Sequence, residues 1–475
     1  MSIKYEIPEE YYFRIHHIRP RFKNDVESVL IYVASEINKL SSADKTRFME
    51  LVNGAIKRYP GNITKTGKTI NNWRTEISSL FGLIEYDSAR DICYPGTIAK
   101  VLTENQDLVE FFKYFIYYFQ YPGAHLKSQE IVKFIEAGIR FKPGKYILDL
   151  LTAGEKIIGG RFGITKAELT HCVFNDLRVT RDGRTPNQSA NLINENRKKN
   201  FRYDWNGDVT RYAGDILDYM VLADLLVFYG NKYYLNLDDT ESIAAFRESD
   251  ILFTLYEPLY NKEHLTPSDV NVFYDYWYHF VNRKIEKEIF KTDLFKYLGI
   301  DRSQYTRIEE ISYEEFYSTI ERRGEIKTKE IGDFGENLVH GHECMKVKLA
   351  GRSDLIHLIM KIPTAFAVGF DIQSVELDET KRYIEVKTTI SRGAISFNKF
   401  HMTRNEWSAA ESLRKRYFVY RLMISKNDKK MFIIPDPVGQ YKADTGTIQI
   451  TVVDGADIVF KEKAGKQEKL LIWKN

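Results

Sequence analysis

Two β-prone segments joined by a polar turn constrain this chain more than any other feature: Val368-Gly369-Phe370-Asp371-Ile372 and Tyr383-Ile384-Glu385-Val386-Lys387-Thr388-Thr389. Side chains alternate faces along a strand, so Glu385 and Lys387 share one face while Ile384 and Val386 point to the other, into a core. The turn Leu377-Asp378-Glu379-Thr380-Lys381 suits a hairpin connection, which would bring Asp371 beside Glu385. Two carboxylates able to hold Mg²⁺, with a lysine to orient water and stabilise developing charge, make a minimal phosphodiester-hydrolysing site. Taken alone, acid-x-lysine is equally a solvated ion pair on an edge strand, so the surroundings decide.

Those surroundings resemble the PD-(D/E)xK nuclease superfamily, in the branch of restriction-system nuclease domains with G-[YF]-D-I followed by I-E-V-K-T-T. Upstream, Gly332-Asp333-Phe334-Gly335-Glu336-Asn337-Leu338-Val339 looks like the family's first helix, with its G-x-x-G-E pattern. Downstream, Phe397 to Glu406 and then Tyr417-Phe418-Val419-Tyr420-Arg421 look like its threonine-x-asparagine-glutamate, helix and tyrosine-rich strand. The matches run from Lys329 to Leu422, about a fifth of the chain, in the family's order. The resemblance implies an α/β nuclease domain with a mixed central sheet. It implies Asp371 and Glu385 as Mg²⁺ ligands, Lys387 as the catalytic lysine and Glu336 as an auxiliary acid in the metal site or in the layer of residues around it. Phe370 stands where the superfamily has its name-giving proline. Asn405 and Glu406 stay open at this level: they can orient backbone or touch DNA, and Thr403-x-x-Glu406 also fits a helix capping box.

A chain of 475 residues is long for one domain, and two or three are expected. The net charge is only +3, so any nucleic-acid surface must be local. Cys93, Cys172 and Cys344 are far apart with no C-x-x-C pair, which points to a reducing cytoplasm and no structural zinc. His340-x-His342-Glu343-Cys344 holds metal-ligand residue types, but no second ligand pair follows, and a polar helix end is the default. The charged, aromatic N-terminus and the lack of any apolar run of spanning length predict a soluble protein that is not exported.

Along the first half, apolar spacing is helical from Asp25 to Lys57, a basic loop spans Asn62 to Lys68, and a second helical stretch runs from Thr69 to Leu80, before Phe81-Gly82-Leu83-Ile84-Glu85-Tyr86. Helix, basic turn, helix and strand reads as a winged helix with Trp73 and Ile77 inward, and equally as a small helical domain. A second such module begins at Thr165, with Glu168 completing a capping box, and ends at a Gly230-Asn231 hairpin between aromatic strands, read as a wing. Between them lies the most basic stretch, from Arg178 to Arg202, rich in Asn and Gln, which can neutralise phosphates and read base edges or form a solvated loop. Lys65, Lys68, Asn72, Arg74, Arg181, Arg184, Arg197, Lys198 and Lys199 are the candidate DNA contacts. The aromatic stretch from Ser268 to Ile300 is expected to form a linking helix.

These readings divide the chain into winged-helix-like modules at 1–125 and 126–265, a helical linker at 266–325 and a nuclease domain at 326–475. The fold class is a multidomain α+β and α/β chain. The expected activity is type II-like restriction cleavage of double-stranded DNA, dependent on Mg²⁺ and giving 5′-phosphate and 3′-hydroxyl ends. One domain cuts one strand, so a homodimer on DNA is expected, with a cognate DNA methyltransferase as genetic partner and no membrane contact. The alternatives are a modification-dependent nuclease with an aromatic cage among its 31 tyrosines, a winged-helix binding protein with an inactive nuclease-like domain, and an RNA-directed or repair nuclease.

Overall fold

The computed structural model describes residues 3–15, 26–59, 66–75, 80–105, 107–283, 290, 330–362, 369–390, 398–425, 429–453 and 455–471. The chain divides into two compact units, 1–104 with 108–291 and 105–107 with 292–475.

The first unit opens with helices Val26–Asn38, Lys45–Arg58 and Gly67–Thr75. They accompany a small antiparallel sheet of β1 (Ala43–Asp44), β2 (Ile84–Asp87) and β3 (Ile92–Pro95), ordered β1-β3-β2. The single helical pattern read from Asp25 to Lys57 is thus two helices, parted where Asp44 caps the second by accepting from the Arg47 N–H. Trp73 is buried as expected, and Ile77 lies outside the described residues. Every residue of the helix Leu108–Tyr118 is buried, which explains its aromatic composition. Its one lysine, Lys113, is buried with its ammonium 2.6 Å from the Asp239 carboxylate.

The second half of this unit places helices Pro143–Ile158, Pro186–Lys198 and Gly207–Leu222 before a hairpin of β4 (Leu226–Tyr229) and β5 (Lys232–Leu235). Thr165 and Glu168 form the expected reciprocal capping box. Gly230 and Asn231 both have positive φ, 56° and 62°, which is what a two-residue turn of matching twist requires. The amphipathic pattern read from Val209 to Phe228 ends earlier, the helix stopping at Leu222 and the strand starting at Leu226. The expected linking helix is interrupted as well. Pro267–Asn271 and Tyr274–Val281 are separate short helices, and Trp277 packs against Phe253 and Phe280 inside the first unit. Residues 284–289 and 291–325 lie outside the described residues.

The second unit is built on β6 (Met360–Lys361), β7 (Ile372–Val375), β8 (Lys381–Ile390), β9 (Lys399–Met402), β10 (Tyr417–Ile424), β11 (Lys429–Pro435), β12 (Ile448–Val453), β13 (Gly455–Phe460) and β14 (Lys466–Glu468). Six of these form a mixed sheet in the order β14-β11-β10-β8-β7-β6, in which only β8 and β10 run parallel. A parallel pair needs a crossover. Here the crossover carries β9 and the helix Arg404–Leu413. β12, β13 and β9 form a separate three-stranded sheet, so the segment Ile448–Val453 flanks the main sheet rather than extending it.

One face of the six-stranded sheet buries Ile384, Val386, Ile390, Tyr420 and Leu422 with Leu338, Val339 and Val347 of the long helix Glu330–Leu349. That helix is fastened by a buried carboxylate: Glu343 accepts from Ser374 Oγ at 2.7 Å and Tyr420 Oη at 2.9 Å, and Arg382 lies 3.7 Å away. Satisfying a buried charge this fully is the condition for keeping it there. His340 and Cys344 belong to the same packed helix, with His340 Nε2 3.1 Å from the Ile359 carbonyl.

The helix comes close to β8 at Gly335, where an added Cβ would run into the Thr388 side chain. Gly335→Ala should therefore destabilise the protein by about 1–3 kcal/mol, the cost of overpacking a core contact. Chemical denaturation is the measurement, and Thr388→Ala in the same chain should recover part of the loss.

Candidate functional site

On its other face, β8 carries charge instead of hydrocarbon. Asp371 ends the approach to β7, where its N–H donates to the Ile384 carbonyl at 2.9 Å and its Oδ2 accepts from the Val386 N–H at 2.7 Å. The Asp371 carboxylate is thus fixed to the backbone of the strand that bears Glu385 and Lys387. The residues before it serve that placement. Gly369 has φ +81°, and a Cβ there would collide with the Asn405 carbonyl, so only glycine fits. Tyr417 Oη donates to the Gly369 carbonyl at 2.9 Å. Phe370, in the position of the superfamily's proline, packs edge-on against Tyr383 with ring centroids 4.8 Å apart. Val368 and Phe397 lie outside the described residues.

The Lys387 ammonium sits between two carboxylates, 2.7 Å from Glu385 Oε1 and 2.8 Å from Glu406 Oε2. Glu406 also completes the capping box of the helix Arg404–Leu413: its Oε2 accepts from the Thr403 N–H at 3.1 Å, and its own N–H donates to Thr403 Oγ1. Of the roles left open for Glu406 the cap is present, and the contact with Lys387 is one that neither reading named. Residue spacing carries the capping signal but none for the contact with the lysine, 19 residues away. Only the crossover that returns the chain beside β8 brings it there.

Burial pushes the Asp371 carboxyl up to about 7, with nearby Glu336 adding to the effect and Lys387 and the Val386 N–H opposing it. Burial, and then Asp371, hold the Glu385 carboxyl well above the usual carboxylate range. Burial works against the Lys387 ammonium, yet Glu385, Glu406 and Asp371 outweigh it and raise its pKa. Burial likewise disfavours the Glu406 carboxylate, and Lys387 and Thr403 overcome it. Two buried acids whose carboxyls are both raised call for a further positive charge.

Asp371 and Glu385 present hard oxygens of the kind Mg²⁺ prefers, and a two-carboxylate set leaves coordination positions for water and phosphate. Glu336, the expected auxiliary acid, lies near Asp371 and has a cationic partner of its own. Its Oε2 is 3.1 Å from the Lys361 ammonium, which also donates to Asn337 Oδ1 at 2.7 Å. Among the described residues, no three His, Cys, Asp or Glu side chains converge to hold one metal ion. Glu336 thus lies close enough to raise Asp371 but is engaged by Lys361.

The candidate DNA contacts of the first unit are scattered. Lys65 lies outside the described residues, as do the side chains of Lys68 and Asn72. Arg74 is half-buried, with Nη1 3.4 Å from Asn53 Oδ1. The basic stretch is largely neutralised from within. Arg178 and Arg184 both pair with the fully buried Asp176, at 2.7 and 2.9 Å. Arg197 pairs with Glu168 through two nitrogens at 2.7 and 2.9 Å. Arg181 pairs with Asp182 and Lys198 with Glu195, both on the surface, and Lys199 is exposed. Arg184 and Arg197 therefore fasten helices. On the helix Pro186–Lys198 the exposed side chains include Asn187 and Asn191, joined by a 3.0 Å hydrogen bond one turn apart. Their spacing of four behind the Thr185-Pro186 helix start was the available signal for an exposed amide pair. No helix among the described residues is long and apolar enough to cross a membrane.

Residues 5–278 match the family model described as restriction endonuclease BpuJI, N-terminal. Residues 335–434 match that described as protein NO VEIN, C-terminal. A solved structure of pyrene- and phenanthrene-modified DNA in complex with the BpuJ1 endonuclease binding domain is similar in fold. Its TM-score is 0.51 at 23% identity, over 58% of this chain and 100% of that one. No curated protein matches the chain.

The raised Asp371 carboxyl has a consequence for stability. A carboxyl that holds its proton more tightly folded than unfolded makes the folded state lose stability as pH rises. For Asp371 that window runs from the ordinary aspartate range near about 4 up through about 7. In chelator, Asp371→Asn should melt higher than the unsubstituted protein at pH 8, and the difference should shrink towards pH 5, as read by thermal unfolding across that range.

Proposed function

Because the chain belongs, over residues 5–278, to the family of the N-terminal domain of restriction endonuclease BpuJI, we propose that it is a modular restriction endonuclease of the PD-(D/E)xK type. Its first unit selects a site on double-stranded DNA, and its second cuts. The observation that carries the cutting half is the grouping of Asp371, Glu385 and Lys387 on one sheet, with Lys387 bonded to Glu385 at 2.7 Å. The recognition half is supported by family membership and by a related binding domain described in complex with modified DNA. The same combination argues against a solely structural nuclease-like domain, since both acids and the lysine are present, with Lys387 on Glu385 and Asp371 fixed to the backbone between them.

In this reading Asp371 and Glu385 hold Mg²⁺, and Glu336 tunes Asp371 while held by Lys361. Bound Mg²⁺ supplies charge neutralisation at the scissile phosphate and activation of water. Lys387 donates hydrogen bonds towards the attacking water and the phosphate oxygens, where negative charge grows in the transition state. Burial of the cluster strengthens each of these interactions by excluding competing water. The products are a 5′-phosphate and a 3′-hydroxyl. Cutting both strands requires two such sites, so a homodimer forms on DNA, and a cognate methyltransferase protects the host's own sites.

On the recognition side the module ending in the β4–β5 hairpin acts as a winged helix, with Pro186–Lys198 entering the major groove. Asn187 and Asn191 are amides of the type that pair with adenine edges. Lys199 and the exposed surface cations contact phosphates.

Incubating long unmethylated duplex DNA with Mg²⁺ should give discrete fragments whose ends share a sequence. Glu385→Ala and Lys387→Ala should each slow cleavage by at least about 100-fold, as expected for removal of a group that stabilises transition-state charge. Cleavage confined to methylated DNA would favour the modification-dependent alternative, and no cleavage of either would leave a DNA-binding protein. Asn191→Ala should weaken binding to the cleaved sequence by about 1–3 kcal/mol, with little change on unrelated DNA, in an electrophoretic shift series.

A further inference from the structure

The Glu406 carboxylate is engaged twice, as the capping residue of one helix and as a partner of Lys387. The cap does not require its charge. The helix Pro186–Lys198 of this same chain closes an equivalent box with Gln188, whose amide oxygen accepts from the Thr185 N–H at 2.9 Å. Charge at position 406 is thus not needed to close the box, and the carboxylate also touches the Lys387 ammonium.

The need for a second acid follows from the chemistry proposed above. Lys387 is bonded to Glu385, one of the two carboxylates offered to a divalent cation. A cation held by Glu385 would compete with the ammonium for that carboxylate's charge, and the two positive centres would repel at short range. A lysine held by Glu385 alone would leave its place when the cation arrives. Its other hydrogen-bonded carboxylate is carried by the helix Arg404–Leu413, on a different element from β8, where the Thr403 N–H also donates to it. We propose that Glu406 is a positioning residue that keeps Lys387 seated in the cleft when a divalent cation occupies Glu385. This rests on the reading of Asp371 and Glu385 as the cation's ligands.

The test follows Lys387 itself and uses no DNA. The full-length protein is treated with an amine-acylating reagent with and without Mg²⁺, labelling of Lys387 is followed by peptide mass spectrometry, and Mg²⁺ binding is measured in parallel by calorimetry. In the unsubstituted protein Lys387 should stay protected in both conditions. In Glu406→Gln, which keeps the cap, it should be protected without Mg²⁺ and label about tenfold faster with it, the response to losing its remaining ionic partner. Thr403→Ala, which weakens the cap and leaves the charge, should melt lower yet show no Mg²⁺-dependent labelling.

Protection of Lys387 in Glu406→Gln with Mg²⁺ bound would overturn the proposal and leave the cation reading standing. Labelling of that variant without Mg²⁺, or the same Mg²⁺-dependent labelling in Thr403→Ala, would also overturn it, by assigning the effect to the pocket or to the cap. Absence of Mg²⁺ binding in the unsubstituted protein would remove the cation reading and the proposal together.

Discussion

The strand Lys381–Ile390 must satisfy opposite demands on its two faces, and the second unit is arranged around that conflict. Ile384, Val386 and Ile390 need a dry partner, and the helix Glu330–Leu349 supplies it, close enough at one turn to exclude any residue but glycine. Glu385 and Lys387 need charge compensation, which Asp371 and Glu406 bring from the flanking elements. The cost of burying these groups is offset because the ammonium meets two carboxylate oxygens and each acid meets a donor.

Charge is used in two ways across the chain. Asp176 with Arg178 and Arg184, Glu168 with Arg197, and Glu343 with Ser374 and Tyr420 are closed arrangements in which the buried acid finds its partners. They hold helices in place. The cluster at Asp371 is different, because burial and neighbouring acids, Glu336 for Asp371 and Asp371 for Glu385, still raise both carboxyls despite Lys387. An acid group left with surplus negative charge is poised for a ligand, whereas a neutralised one is poised for stability. That contrast separates the candidate active site from the other buried acids, and it also explains why the basic stretch read as a DNA surface is partly a set of internal fasteners.

Much of this was legible in the sequence because it depends on local rules. Strand alternation put Glu385 and Lys387 opposite Ile384 and Val386, the Gly230-Asn231 turn announced its hairpin, and Thr165 with Glu168 announced a cap. Local rules were weakest where two elements share one apolar period. Asp25 to Lys57 and Val209 to Phe228 each looked continuous, although the first breaks at a capping aspartate and the second turns from helix to strand.

Sequence by itself determined the chemistry on offer: one acid on the approach to a strand, an acid and a lysine two residues apart, and the glycines that only a close approach or a left-handed turn demands. Tertiary structure decided which charges meet. The partners of Lys387, Lys361, Arg184 and Arg197 lie 2, 19, 25, 8 and 29 residues away. Electrostatic energy depends on separation in space and on exclusion of water, neither of which is written in chain order. The parallel pairing of β8 with β10 forces a crossover, and the crossover carries Glu406 back to the lysine.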